Sequence, residues 1–169
     1  MTITEIENDE KVRLTVPKFV VDYEFKHIPK PFPSVSSYMV FVGASRSGKT
    51  SLMISLLTNK KMYKQAFDNI ITVIPTHSRR SIADNIFDTI SNDKQYDELN
   101  LEILINIYEK VQDYSNDEMD SLLIIDDFTS ELKNPSFLRL FNTLINNSRH
   151  LRLSICTFVQ TYNSIPLSN

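Results

Sequence analysis

The sequence predicts a three-layer α/β fold around a mostly parallel sheet. Three observations predict it. Short apolar runs alternate with amphipathic helical stretches. The connections between runs are long enough for helical crossovers between parallel strands. The first core run also leads directly into Gly43-Ala44-Ser45-Arg46-Ser47-Gly48-Lys49-Thr50, which fits G-x-x-x-x-G-K-[ST] and is followed by a helical stretch.

Residues 1–37 differ from the rest. The acidic opening MTITEIENDE leads into KVRLTV and FVVDYEF, which show strand-like alternation or β-branching. Pro29, Pro31 and Pro33 then fall within five residues, a spacing that favours an extended path and forbids a regular helix. This segment reads as an N-terminal arm or accessory hairpin before a core at 38–169. Tyr38–Val42 is a continuous apolar run, expected of a strand buried on both faces. Residues 50–57 read as a helix. Residues 69–74 (NIITVI) read as a second strand, stopped by Pro75. Residues 81–90 and 100–114 read as helices, the second with Leu101, Leu104, Ile105, Tyr108 and Val111 on one face. Residues 122–125 (LLII) form a third strand. Residues 134–147 form a helix with Pro135 in the first turn and Phe137, Leu140, Phe141, Leu144 and Ile145 along one stripe. Residues 153–159 form a fourth strand.

Composition narrows the function classes. The chain has 169 residues, about one domain, and 41% of them are hydrophobic, enough for a packed core. The net charge is −3, which excludes a general basic coat for nucleic acid but not a local patch. The single cysteine, Cys156, excludes an internal disulfide and a cysteine-cluster zinc site. It lies in an apolar run and reads as a buried free thiol in a reducing compartment. The N-terminus has no apolar segment of the signal-peptide kind, and no run approaches the roughly 20 residues that span a bilayer. The expectation is a soluble intracellular protein that does not engage a membrane.

The chemistry is concentrated at a few positions. Glycine permits the backbone angles that turn successive N–H groups inward around a phosphate, and the following helix offers its positive end to the anion. Lys49 supplies a charge for the β- and γ-phosphates, and Thr50 a hydroxyl for Mg²⁺. The chain's two glycines, Gly43 and Gly48, occupy the two glycine positions of the motif. The strand LLII ends in Asp126-Asp127, where a parallel sheet presents groups to its ligand. Asp126 suits Mg²⁺, and Asp127 suits the orientation or deprotonation of an attacking water. Taken alone, the pair also fits acids that begin a turn. Gln160, after the strand LSICTFV, suits contact with the γ-phosphate or its water, or the start of a loop. Arg149-His150 suits either a favourable cation at a helix C-terminus or an arginine delivered to a neighbouring subunit's nucleotide. Arg46, in the loop, faces phosphate or solvent. Arg79 and Arg80 face DNA or lie in a solvated loop.

Together GASRSGKT, SLLIIDDF and NNSRHLRLSICTFVQTYNSIP resemble the genome-packaging ATPases of large DNA viruses and virophages, the poxvirus-type branch of the FtsK/HerA group. The resemblance covers residues 38–166. It implies a P-loop NTPase core in the additional-strand order, with the Gln160 strand between the phosphate-loop strand and the Asp126 strand. It implies ATP and Mg²⁺ as substrate and cofactor, and ATP hydrolysis coupled to packing double-stranded DNA into a capsid. By the same resemblance Lys49 and Thr50 serve phosphate and metal, Asp126 and Asp127 serve metal and catalysis, and Gln160 senses the terminal phosphate. The implied partners are double-stranded DNA, further copies of the chain in a ring, and a capsid protein. The implied location is the host cytoplasm or a virus factory, with virion association as a further option. Family members usually continue with another helix and strand beyond the point where this chain stops, so a truncated core is expected. Three alternatives remain open at this level: a nucleotide-bound scaffold or fragment without turnover, a nucleotide kinase, and a replication helicase.

Overall fold

In a computed structural model, the structure describes residues 28, 33–59, 63–80, 86–126 and 131–160. Five strands form one parallel sheet: β1 (Tyr38–Val42), β2 (Asn69–Val73), β3 (Gln95–Tyr96), β4 (Ser121–Asp126) and β5 (Leu153–Val159). Their spatial order is β1-β5-β4-β2-β3, and every paired neighbour runs parallel. Among the described residues the helices are α1 (Lys49–Thr58), α2 (Thr76–Arg80), α3 (Leu101–Asn116) and α4 (Pro135–Asn146).

Strand alternation divides the core into two layers. Leu122, Ile124, Cys156 and Phe158 face one side, where they pack with Met53, Leu56 and Leu57 of α1. Leu123, Ile125, Leu153 and Ile155 face the other, against α3 and α4. All seven residues of β5 are buried, as are the first five of β4. These continuous apolar runs follow from helices covering both faces of a parallel sheet.

β1 departs from its expected burial. Among the described residues it pairs only with β5, and Val42 at its end is 46% exposed. It is apolar because α1 and α4 approach its two faces, while its outer edge has no described neighbour. The sheet also has a fifth strand, β3, that the apolar pattern did not predict. It is two residues long and adds to the edge of β2.

The helix expected over 81–90 is corrected in its described part. Ile86–Thr89 is a single 3₁₀ turn that buries Phe87, and residues 81–85 lie outside the described residues. Helix starts earlier, at Thr76. The Pro75 carbonyl accepts from Ser78 N (2.9 Å) and Arg79 N (3.1 Å), so the proline that stops β2 also opens α2. On α3 the buried positions are Leu104, Ile107 and Val111, whereas Ile105 is 44% exposed. The seam follows i, i+3, i+7, which leaves position 105 on the flank.

Helix ends follow local chemistry. Asn100 caps α3 by accepting from Ile103 N at 2.9 Å. Asn134 caps α4 by accepting from Ser136 N (3.0 Å) and Phe137 N (3.3 Å), with Pro135 at the first helical position. Asn134→Ala is expected to cost about 1 kcal/mol. In a chain this size that lowers the melting temperature by about 2–4 °C, readable by circular dichroism.

Residues just before β1 pack on the core. Val35 is buried in the α1-side layer, Ile28 lies against it, and Tyr63 donates its hydroxyl to Pro33 O at 2.7 Å. The strand-like stretches expected within 1–27 lie outside the described residues. No helix among the described residues is long and apolar enough to cross a membrane.

Candidate nucleotide-binding site

The C-terminal ends of β1, β5 and β4 meet at one edge of the sheet. Val42 is level with Val159, and Asp126 with Phe158. Gly43 N donates to Val159 O at 3.1 Å, so the loop is fastened to β5 where it leaves β1. Adjacent strands lie about 4.8 Å apart, so Asp126 starts roughly 10 Å from the base of the loop, with Gln160 between them.

The loop itself is a tight turn. Ser47 N donates to Ala44 O at 3.2 Å, and Arg46 at its third position has φ 61°. That left-handed backbone costs a non-glycine residue about 1–2 kcal/mol. Gly48 follows with φ 86° and caps α1 without any side-chain hydrogen bond. The first turn of α1 holds no acid, so its N–H groups keep their positive end open toward the loop. Gly43 meets the other side of the loop closely. A Cβ there would stand 2.6 Å from Ser47 Oγ, so a side chain at this position would make the Ser47 hydroxyl turn away.

Lys49 reaches back across this turn. Its Nζ donates to Gly43 O at 2.5 Å and to Ala44 O at 3.0 Å. An ammonium has three donors, so one remains for an anion in the loop. The two carbonyls thus hold the charge in place before a phosphate arrives.

Asp126 lies at the end of β4, partly buried. Its alternation with Leu122 and Ile124 puts it on the α1 side, the face that carries Thr50 in the helix's first turn. The Cys156 thiol on the same face has a raised pKa, first from burial and then from the negative charge of Asp126. Cys156 is a buried free thiol, as its apolar run predicted. A helix N-terminus, a spare ammonium donor, a hydroxyl and a carboxylate are the donor set for a triphosphate with Mg²⁺. The residues present fit both groups.

The other expected positions divide. Gln160 is exposed and directly follows β5 at the same edge. Asp127 lies outside the described residues. Arg149 is exposed in the turn after α4, at the opposite edge, because α4 runs back to the start of β5. The seven residues of β5 separate it from the loop by about 20 Å, so it does not reach the nucleotide site of its own chain. Arg79 neither lies in a solvated loop nor faces outward. It donates to Gln95 Oε1 (2.7 Å) and Ile74 O (3.2 Å) and pairs with Asp97, tying β3 to the end of β2. The Arg80 side chain lies outside the described residues.

Two features escaped sequence reasoning. One is the left-handed turn position of Arg46, for which only the loop's short length gave a signal. The other is the buried ion pair of Arg152 Nε with Asp120 Oδ1 at 3.2 Å, whose partners are 32 positions apart with no motif joining them.

Comparison with known proteins places the chain in a family. No curated protein sequence matches the chain. A solved structure, described as the structure of C. elegans PCH-2, is similar at 16% identity with a TM-score of 0.44. That match covers 78% of this chain and 32% of the other, so the chain spans about a third of that protein's length. The family model described as Poxvirus A32 protein matches residues 26–169, which begins twelve residues before β1 and takes in the whole sheet. The chain belongs to the poxvirus A32 protein family, the packaging ATPases that its motifs resemble.

Proposed function

We propose that this chain binds ATP with Mg²⁺ at Gly43–Thr50, hydrolyses it, and couples the reaction to movement of double-stranded DNA during virion assembly. The observation that carries the reading is the strand order. With β5 between β1 and β4, the phosphate loop, Gln160 and Asp126 share one edge of the sheet.

In this reading the backbone N–H groups of Ala44–Thr50 and Lys49 Nζ bind the phosphates. Thr50 and Asp126 would hold Mg²⁺, which would supply positive charge against the phosphates. Asp127 orients the water that attacks the γ-phosphate and accepts its proton. Gln160 contacts the terminal phosphate or that water and so distinguishes ATP from ADP. Catalysis is mostly positioning and electrostatics. Arg149, remote from its own site, serves the nucleotide of a neighbouring subunit in a ring. Residues 38–169 form the motor core, residues 1–37 precede it as an arm or accessory hairpin, a capsid protein is a further partner, and the work is done in the host cytoplasm or virus factory.

The test is the steady-state ATPase rate with and without long double-stranded DNA, alongside oligomer size. Stimulation by DNA together with assembly beyond a monomer is expected, with DNA binding that weakens as salt rises. Nucleotide binding without turnover in either condition would show a scaffold instead of a motor. Asp127→Asn is expected to keep ATP affinity and lower turnover by a hundredfold or more, within the range of general base catalysis. Turnover at the parent rate would remove Asp127 from the mechanism.

A further inference from the structure

We propose that Arg46 is a second phosphate-contacting cation of the site, reaching the terminal phosphate of a nucleoside triphosphate bound to its own chain. The inference rests on the ATP-binding reading of the loop and adds to it a second residue, besides Gln160, that separates triphosphate from diphosphate.

Four observations carry it. Arg46 holds φ 61° at the third position of the Ala44–Ser47 turn, a conformation that suits glycine or asparagine. The loop already has glycine at Gly48, where φ is also positive. At Arg46 it instead keeps a long cationic side chain at a cost to the backbone, and such costs gather at functional sites. Second, the side chain is exposed at the mouth of the loop, with no hydrogen bond or ion pair among the described residues.

Third, Lys49 has spent two of its three donors on Gly43 O and Ala44 O. A triphosphate carries more charge than the one remaining donor answers. Arg46 brings five donors in a planar fork that matches phosphate oxygens. Fourth, Arg79, after β2 and three strand spacings from β1, is tied to Asp97 and Gln95 and does not supply this charge. A guanidinium on the turn's apex meets the outer end of a phosphate chain whose inner end lies against the α1 N-terminus. A diphosphate ends short of it.

The experiment compares Mg-ATP and Mg-ADP affinity by calorimetry, and ATP turnover, in the parent chain, Arg46→Gly, Arg46→Lys and Lys49→Ala. Arg46→Gly suits the turn, so its melting temperature should hold or rise. It is expected to keep ADP affinity within threefold of the parent while ATP affinity or turnover falls tenfold or more. Arg46→Lys should recover part of the loss. An unchanged ATP-to-ADP ratio together with turnover within twofold of the parent would overturn the proposal. So would a loss confined to the DNA-stimulated rate with ATP affinity intact, which would assign Arg46 to DNA. A parent chain that binds no nucleotide, or a Lys49→Ala variant that binds as well as the parent, would instead sink the ATP-binding reading underneath.

Discussion

Lys49→Ala is expected to abolish measurable ATP binding and leave the fold standing. Lys49 Nζ is held by Gly43 O and Ala44 O, both at the mouth of the loop, where water can replace the lost donors. The α1 helix keeps its own backbone bonds, including Leu52 N to Gly48 O at 2.9 Å. What disappears is the charge-assisted bond from the third N–H to phosphate. Such bonds contribute about 1.5–3 kcal/mol. The loss of fixed positive charge beside a polyanion adds to that, so an affinity drop of about a hundredfold or more follows at 1.4 kcal/mol per decade. Calorimetric titration with Mg-ATP checks it, with circular dichroism melting as the control for folding. An affinity within threefold of the parent would show that phosphate lies elsewhere.

Asp120→Ala is expected to be the most destabilising single change at the other edge of the sheet. Asp120 and Arg152 have side chains 4% and 8% exposed, and they meet just before β4 and β5 begin. The backbone there is knotted together as well. Asp120 O accepts from Asp68 N and Asn69 N, Asp68 Oδ2 accepts from Asp120 N, and Ser121 N donates to Arg152 O. Removing the carboxylate takes away the counter-charge that Arg152 Nε meets at 3.2 Å in a buried setting, a loss of the kind that costs about 3–5 kcal/mol. At about 2–4 °C per kcal/mol, the melting temperature should fall by roughly 10 °C. The paired change Asp120→Leu with Arg152→Met removes both charges and should recover most of the loss, because the desolvation penalty goes with them. A melting temperature for Asp120→Ala within 2 °C of the parent would mean that water reaches the pair.

What was legible in the sequence was whatever repeats or runs. β1 and β5 have the predicted ends because YMVFV and the mostly apolar LSICTFV stand between polar segments. α4 was readable from Asn134-Pro135 and its apolar stripe, since cap and periodicity agree. The loop was readable because its glycines and lysine act within eight residues of chain. β3 was not, because Gln95 and Tyr96 carry no apolar pattern and lie beside β2, where Arg79 bonds Gln95. Ile105 and Ile107 are chemically identical, and only the position of α4 decides that Ile107 enters the core. The burial of Asp120 with Arg152 depends on two strand starts meeting in space, which no local window contains. Arg149 could be recognised as a cation after a helix, yet its placement across the sheet from the loop follows from the direction of α4 alone.

The fully buried β5 has a mechanical consequence. It is bonded along both sides, to β1 and to β4, and each of its seven side chains is packed. A slip by one residue would turn every side chain to the opposite face, so the strand neither slides nor bends cheaply. It therefore behaves as a stiff rod with Gln160 at one tip and the Arg149–Arg152 turn at the other. A pull at either tip must shift the rod as a unit, together with the two strands it is laced to.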